Sequence, residues 1–127
     1  MSAGSYRGTR TDLGAVVVFI SGGGRELLDP RLDVREHSPT GFEWGYGGSG
    51  PAQLALALCI HALDGDVERA RRIYQEFKWR CVAHLRSDEW WLDVETVREI
   101  IARIEAVLSP PAPEDRRFLE SLEVEEP

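Results

Sequence analysis

The chain has few cysteines, no apolar leader and no long apolar run, and each of these shortages excludes a class of protein. Only 2 of its 127 residues are cysteines. That is too few for the disulfide framework of a small secreted domain, so we expect a reducing compartment. The sequence does not begin with the basic and apolar segments of a signal peptide. Its longest apolar run, residues 54–60, is far too short to span a membrane. We therefore expect a cytoplasmic protein without a membrane partner.

Positive charge is also in short supply. Lysine and arginine number 15 against 22 acidic residues, which gives a net charge of −7. This balance argues against nonspecific binding of nucleic acid, which needs a basic face to displace counterions. Basic residues do concentrate between Arg69 and Arg80. We interpret them as the solvated face of a helix, balanced by Glu68 and Glu76, with a local basic patch as the alternative.

Strand patterns come first along the chain, and helix patterns follow. The β-branched run at residues 15–20 predicts a buried strand. A short edge strand at residues 6–10 and a hairpin partner at residues 25–28 are predicted beside it. Residues 32–37 form a further predicted strand. Strands followed by helices are typical of an α+β domain with an antiparallel sheet, because a parallel sheet needs the two to alternate.

Three helices are predicted after these strands. The first begins at Pro51, and its almost continuous apolar residues predict a helix that is buried on all sides at the centre of the core. Gln53 is placed to cap one of its free N–H groups. The second helix is capped by Asp66 and runs to about His84, and the third is capped by Asp93.

The sequence thus predicts an α+β domain over residues 1–108, with a small N-terminal antiparallel sheet packed against three helices, the first of them central and buried. The length allows one domain with a real core and is too short for two. Residues 109–127 are mostly charged. They predict an acidic, flexible C-terminal tail with a weak helical turn at residues 118–122.

A glycine-rich segment with three large rings, FEWGYGGSGPAQ at residues 42–53, precedes the first helix. Ordering so many glycines is costly, so they need a reason such as a tight turn or the close approach of another group. Gly45, Gly47 and Gly50 match the G-x-G-x-x-G dinucleotide fingerprint. The helix that follows leads into another helix and not into a second parallel strand, so this interpretation fails. Two others remain: the glycines let the backbone pass close to the buried helix, or the amides at residues 47–49 bind a phosphate or carboxylate.

Polar side chains lie just before and within this segment, at His37, Ser38 and Glu43. A histidine and a carboxylate within reach of one another can act as base and orienter for a hydroxyl. The alternative is structural. In it, His37 and Ser38 cap the Ser-Pro turn, and Glu43 accepts main-chain N–H bonds from the glycine segment.

Two cysteine–histidine pairs resemble metal ligands. Cys81 and His84 are three residues apart and can share a helix face, whereas Cys59 and His61 are two apart and point in roughly opposite directions. A tetrahedral zinc site therefore lacks its fourth ligand. We expect both cysteines to be small buried hydrophobes, with no metal and no cofactor.

Large rings are frequent for this length, at Trp44, Tyr46, Trp79, Trp90 and Trp91. In one interpretation they pack over the ends of the central helix. In the other, Trp44 and Tyr46 face outward on a rigid loop and form a stacking surface for a base, a sugar or a protein.

The stretch EHSPTGFEWGYGGSGPAQLALAL, with FKWRCVAHL downstream and an N-terminal YRG, resembles an uncharacterised prokaryotic and phage family, the domain of unknown function 6166. The resemblance covers about residues 6–108. It implies that the family motif comprises His37, Ser38, Pro39, Gly41, Phe42, Glu43, Trp44, Gly45, Tyr46, Gly47, Gly48, Ser49, Gly50, Pro51 and Gln53. It implies no activity, cofactor or catalytic residue, and the phage occurrence makes a role in host interaction conceivable.

From these patterns we expect a binding or interaction module and not an enzyme, with a protein or a small anionic ligand as its partner. The expected contact residues are His37, Ser38, Glu43, Trp44, Tyr46, Gly47, Gly48 and Ser49. One alternative is a small enzyme or binder that acts on a nucleotide or phosphorylated metabolite, with His37 as base. Another is an acidic, phage-type inhibitor that mimics nucleic acid towards a basic partner.

Overall fold

Residues 4–108 are described by a computed structural model, and they form the predicted α+β architecture. Three strands come first: β1 Gly4–Thr11, β2 Gly14–Ser21 and β3 Gly24–Leu27. Helices α1 Ser49–Ala62 and α2 Val67–Arg80 follow, then a 3-10 turn at Val82–His84, strand β4 Glu89–Asp93 and helix α3 Val94–Leu108. The predicted antiparallel sheet and three helices are confirmed. The predicted tail and its helical turn lie outside the described residues.

The sheet has the order β3-β2-β1-β4, and all of its pairs are antiparallel. β1 is therefore a central strand, and the prediction that it lies at an edge is wrong. The reason is β4, which the sequence did not predict and which pairs with β1 so that Gly8 lies opposite Trp90. The edges of the sheet are β3 and β4.

Helix α1 occupies the centre of the core, as predicted. All of its residues are buried except Ser49 and His61. A helix without a polar face has to be covered on every side, and here the sheet, α2 and α3 all contact the same core cluster. The chain leaves α1 through Gly65, whose N–H donates to the carbonyl of Ile60.

Residues 32–37 form turns and not the predicted strand. Their main chain is bound to Gln53 of α1, whose side chain makes hydrogen bonds with four main-chain groups of residues 30–38. Gln53 therefore does not cap α1, and that prediction is wrong. The residue before the helix, Gly48, has no side-chain cap.

The two remaining helices each bury one face. The Asp66 carboxylate accepts the N–H of Arg69 and caps α2, as predicted. α2 ends at Arg80, before the predicted end at His84, and continues as the 3-10 turn. On α3 the buried residues are Val94, Val97, Ile101 and Ile104, the spacing of one helix face. Within residues 4–108, no helix is both long enough and apolar enough to cross a membrane.

Candidate functional site

The glycines of the loop before α1 bring the backbone directly against two aromatic rings. A Cβ atom on Gly47 would overlap the benzo ring of Trp79, and one on Gly48 would lie 2.5 Å from Cε2 of Tyr46. No side chain fits at either position without moving a ring. The close approach of the rings is therefore the physical reason for these two glycines.

Both rings keep a large exposed area. Tyr46 is 52% exposed and Trp79 is 54% exposed, although each rests on the main chain. We name the area formed by Tyr46, Gly47, Gly48 and Trp79 the loop surface. A ring held against a glycine loses little further freedom when it binds a partner, and this preorganisation favours recognition.

Trp44 is not part of the loop surface, and the prediction that it faces outward is wrong. It is 1% exposed, its Nε1 donates to the Ser87 carbonyl at 2.9 Å, and its ring meets that of Trp90 edge-on at 5.4 Å. Trp44 belongs to the core because Ser87 and Trp90 form its surroundings. The outward pair of rings is Tyr46 with Trp79, which comes from α2.

Lys78 is the chain's single lysine, and it lies under the loop surface. It is 8% exposed, and its Nζ lies 4.6 Å from the centre of the Trp79 ring. The cation–π contact stabilises the ammonium. Among residues 4–108 no carboxylate lies within ion-pair distance of it.

His37 lies near this lysine and is held at both its main chain and its ring. Its N–H donates to Gln53 Oε1, and its Nε2 lies 2.7 Å from the Tyr74 hydroxyl. Burial lowers the pKa of His37 below the ordinary value, and the charges of Arg35 and Lys78 lower it further. The lowered pKa favours the neutral ring, and its Nε2 is engaged with the Tyr74 hydroxyl.

Glu43 binds a different partner from those expected. Its carboxylate accepts from Arg10 at 2.6 Å, and Arg10 also contacts Asp88 and the Trp44 ring. Within the described part of the chain, no bond joins Glu43 to His37 or to a glycine N–H. The expected base and orienter are therefore not paired. Ser38 is buried, and its N–H also donates to Gln53.

The pKa of His37 provides a direct test of this environment. We expect a value below the ordinary 6.5, and we expect Lys78→Met to raise it by removing a nearby positive charge. Because the folded-state pKa is lowered, the stability that His37 contributes is present above pH 6.5 and is lost as the pH falls through that pKa. An NMR titration of the His37 ring measures this, with Arg25→Met as the charge-matched control. A pKa at or above 6.5 would contradict the described environment.

A cavity of about 430 Å³ opens beside Trp79. It is lined by Trp79, Arg80, His84, Ile100 and Arg103. Arg80 pairs with Glu76 of the same helix, whereas Arg103 has no charged partner among the described residues. The surroundings of Trp79 are thus basic although the chain as a whole carries a net charge of −7.

A second cavity, of about 310 Å³, lies beside His61, between the end of α1 and the chain that follows β3. Its histidine has both ring nitrogens engaged, Nδ1 with the Tyr6 hydroxyl at 2.8 Å and Nε2 with Glu26 at 3.2 Å. Tyr6 is fully buried, and burial raises its pKa well above the ordinary value. The hydroxyl stays protonated, and the three side chains join the sheet to α1.

The cysteines and histidines do not gather into a ligand set. Cys59 and Cys81 are both buried free thiols, as predicted, and burial raises the pKa of each, that of Cys81 to about 11. Across residues 4–108 there is no group of three or more histidine, cysteine and acidic side chains that is able to hold a metal ion.

Sequence reasoning missed the contributions of Lys78 and Tyr74 to this region. They are four residues apart on α2 and therefore share one side of the helix. That spacing indicates that Lys78 lies on the same side of α2 as Tyr74. The prediction of a solvated basic face instead places Lys78 with the other basic residues of this segment. Of the predicted contact residues, the structure brings Tyr46, Gly47 and Gly48 to the loop surface, and Ser49 follows at the start of α1.

Comparison with known proteins supports a family but no activity. A family model described as a family of unknown function, DUF6166, matches residues 6–103. No curated protein and no solved structure shows significant similarity to the chain.

Proposed function

Because the chain belongs to the family of unknown function DUF6166, we propose its function from its geometry: it is a binding module that recognises its partner through the loop surface. The expected location is the cytoplasm, on the grounds of the two unpaired cysteines.

One observation carries this proposal: the two exposed rings, Tyr46 and Trp79, rest on glycine backbone where no side chain fits. Aromatic rings supply much of the contact energy of binding surfaces because they bury large areas at a small entropic cost. Two exposed rings, each fixed against a glycine of the same loop, favour recognition over a purely structural role.

The described residues give less support to each of the two alternatives, the enzyme and the acidic inhibitor. An enzyme with His37 as base needs a carboxylate that orients the ring, and the expected one, Glu43, is bonded to Arg10. The acidic inhibitor depends on residues 109–127, which lie outside the described residues.

The test compares binding by the wild type, Tyr46→Ala and Trp79→Ala. A panel of nucleosides, monosaccharides and short peptides is titrated into the ¹⁵N-labelled chain, and affinity capture covers protein partners. We expect at least one partner to shift the amides of residues 46–49 and the Trp79 indole signal, and to lose about tenfold or more in affinity in both variants. Trp91→Ala is the matched control, because Trp91 is 57% exposed and lies on β4. The proposal is wrong if no partner distinguishes the wild type from these two variants, or if Trp91→Ala has the same effect.

A further inference from the structure

Basic side chains from three elements line the cavity beside Trp79, which we name the basic cavity. Arg80 comes from the end of α2, His84 from the 3-10 turn and Arg103 from α3. None of the described acidic side chains lines it. Arg103 is exposed and has no charged partner among residues 4–108, and Arg80 stays about half exposed although it pairs with Glu76. Positive charges that share one cavity attract an acidic group.

The basic cavity also offers apolar contacts. Trp79 and Ile100 complete its lining. Although the Trp79 ring rests on Gly47 and lies close to the Lys78 ammonium, more than half of this residue stays exposed. A partner that fits such a lining carries carboxylates beside apolar side chains.

The C-terminal part of this chain, residues 109–127, has that composition. It contains six acidic and two basic residues and therefore carries −4 of the net charge of −7. Four apolar side chains lie among the acidic residues of its stretch 114–126, namely Phe118, Leu119, Leu122 and Val124. Carboxylates and apolar side chains are thus present together in one segment of the same chain.

The chain enters this segment from the helix that forms one wall of the basic cavity. Ile100, Arg103 and Val107 follow the three-and-four spacing of one side of α3. Val107 and Leu108 are exposed at the end of the helix, about 8 Å beyond Arg103 along its axis. The ten residues from Leu108 to Phe118 span up to about 33 Å when extended. The segment is therefore long enough to return to the cavity.

We propose that residues 114–126 bind in the basic cavity of their own chain. Their carboxylates pair with Arg80 and Arg103, and their apolar side chains pack on Trp79 and Ile100. Because Trp79 also belongs to the loop surface, the bound segment covers part of that surface and regulates access to it. Only this regulatory consequence rests on the proposed function, whereas the contact within the chain does not.

The experiment attaches a nitroxide to the Ser121→Cys variant of the full ¹⁵N-labelled chain. The reagent selects this position because Cys59 and Cys81 are buried and burial raises the pKa of both thiols. The wild type treated with the same reagent is the control for this selectivity. The broadening of NMR signals by the nitroxide then reports which residues the segment approaches.

We expect the nitroxide to broaden the Trp79 indole signal and the amide signals of residues 80–84 more strongly than those of residues 24–27. The latter are the reference because Glu26 contacts His61 near the C-terminal end of α1. Trp79 instead contacts the loop at the start of α1, and this helix of 14 residues is about 21 Å long.

The charge dependence of the broadening tests the ion pairs. Arg103→Met should lower the equilibrium constant for the bound segment by about two- to fivefold, as expected for an exposed ion pair, so that the broadened signals partly recover. Arg71→Met removes the same charge from an exposed position on α2 and should have little effect. Salt at about 1 M, which screens exposed charges beyond about 3 Å, should act as Arg103→Met does.

Each contrary outcome has a defined meaning. Equal broadening of the Trp79 signal and of residues 24–27, or no broadening of either, overturns the contact. Equal effects of Arg103→Met and Arg71→Met also overturn it. In a second sample, the nitroxide-bearing chain without ¹⁵N is mixed with the ¹⁵N-labelled wild type, and broadening there replaces the contact with one between two copies. No partner of the loop surface is added, so failure here leaves the proposed function to its own test.

Discussion

Replacing Gln53 with methionine is expected to lower the free energy of unfolding by about 3–5 kcal/mol. Gln53 is fully buried. Its Oε1 accepts the N–H groups of His37 and Ser38 at 2.6 and 3.0 Å, and its Nε2 donates to the carbonyls of Pro30 and Arg35 at 2.7 and 3.0 Å. Methionine has a similar shape but leaves all four main-chain groups unpaired, and each unpaired buried group costs about 1–3 kcal/mol. Water can reach some of these four main-chain groups in the variant. The expected loss of stability is therefore smaller than the largest sum of the four individual costs.

The chain's other glutamine provides the control. Gln75 is exposed on α2, and Gln75→Met should change stability by no more than about 0.5 kcal/mol. Equilibrium denaturation with urea, followed by circular dichroism, measures both variants. A loss below about 1 kcal/mol for Gln53→Met would show that the four bonds do not hold residues 30–38 in place.

The Gln53 side chain also shows where inference from sequence stops. Its position near the start of a helix predicts a local cap, because local spacing is all that a sequence pattern contains. Its real partners lie 15 to 23 residues away, and only the folded chain brings them together. The same bonds explain why residues 32–37 do not form a strand: their main-chain groups are satisfied by one side chain.

The helices were predictable because their patterns are long and periodic. The apolar residues of α1 predict a buried helix regardless of its neighbours, and the capping of α2 by Asp66 is a local effect. β4 is short, and three of its five residues, EWWLD, are consecutive apolar side chains. The alternation between exposed and more buried positions that the structure shows is therefore not visible in the sequence. Without β4, β1 has one visible partner and resembles an edge strand. The position of β1 in the sheet was therefore predicted wrongly.

The sequence predicts where the candidate site lies, but it does not predict which of its aromatic rings face outward. The glycines marked a place where backbone and rings meet, and Tyr46 faces outward as expected. Trp44 and Tyr46 are two residues apart in an irregular loop, where no period of 2.0 or 3.6 tells which ring points inward. Trp44 is buried because Ser87 and Trp90, both far along the chain, form its environment.

Replacing Gly8 with alanine is expected to lower the free energy of unfolding by about 2–3 kcal/mol. Gly8 lies in the central strand β1, directly opposite Trp90 of β4. A Cβ atom at Gly8 would overlap the Trp90 indole, so the ring covers the glycine across the two strands. Trp90 has no free space to move into, because it is buried and meets the Trp44 ring edge-on at 5.4 Å.

To relieve the overlap at Gly8, both indoles have to shift, and neither is free to turn. Trp44 is bonded to the Ser87 carbonyl and lies under Arg10. Gly22→Ala is the matched control, since a Cβ atom there has nothing within 4 Å, and it should change stability by no more than about 0.5 kcal/mol. Urea denaturation gives the stabilities, and the near-ultraviolet circular dichroism of the tryptophans reports the displacement. Equal stability of Gly8→Ala and the wild type would mean that β4 shifts without cost. Trp90 would then not be the contact that fixes Trp44 and the loop above it.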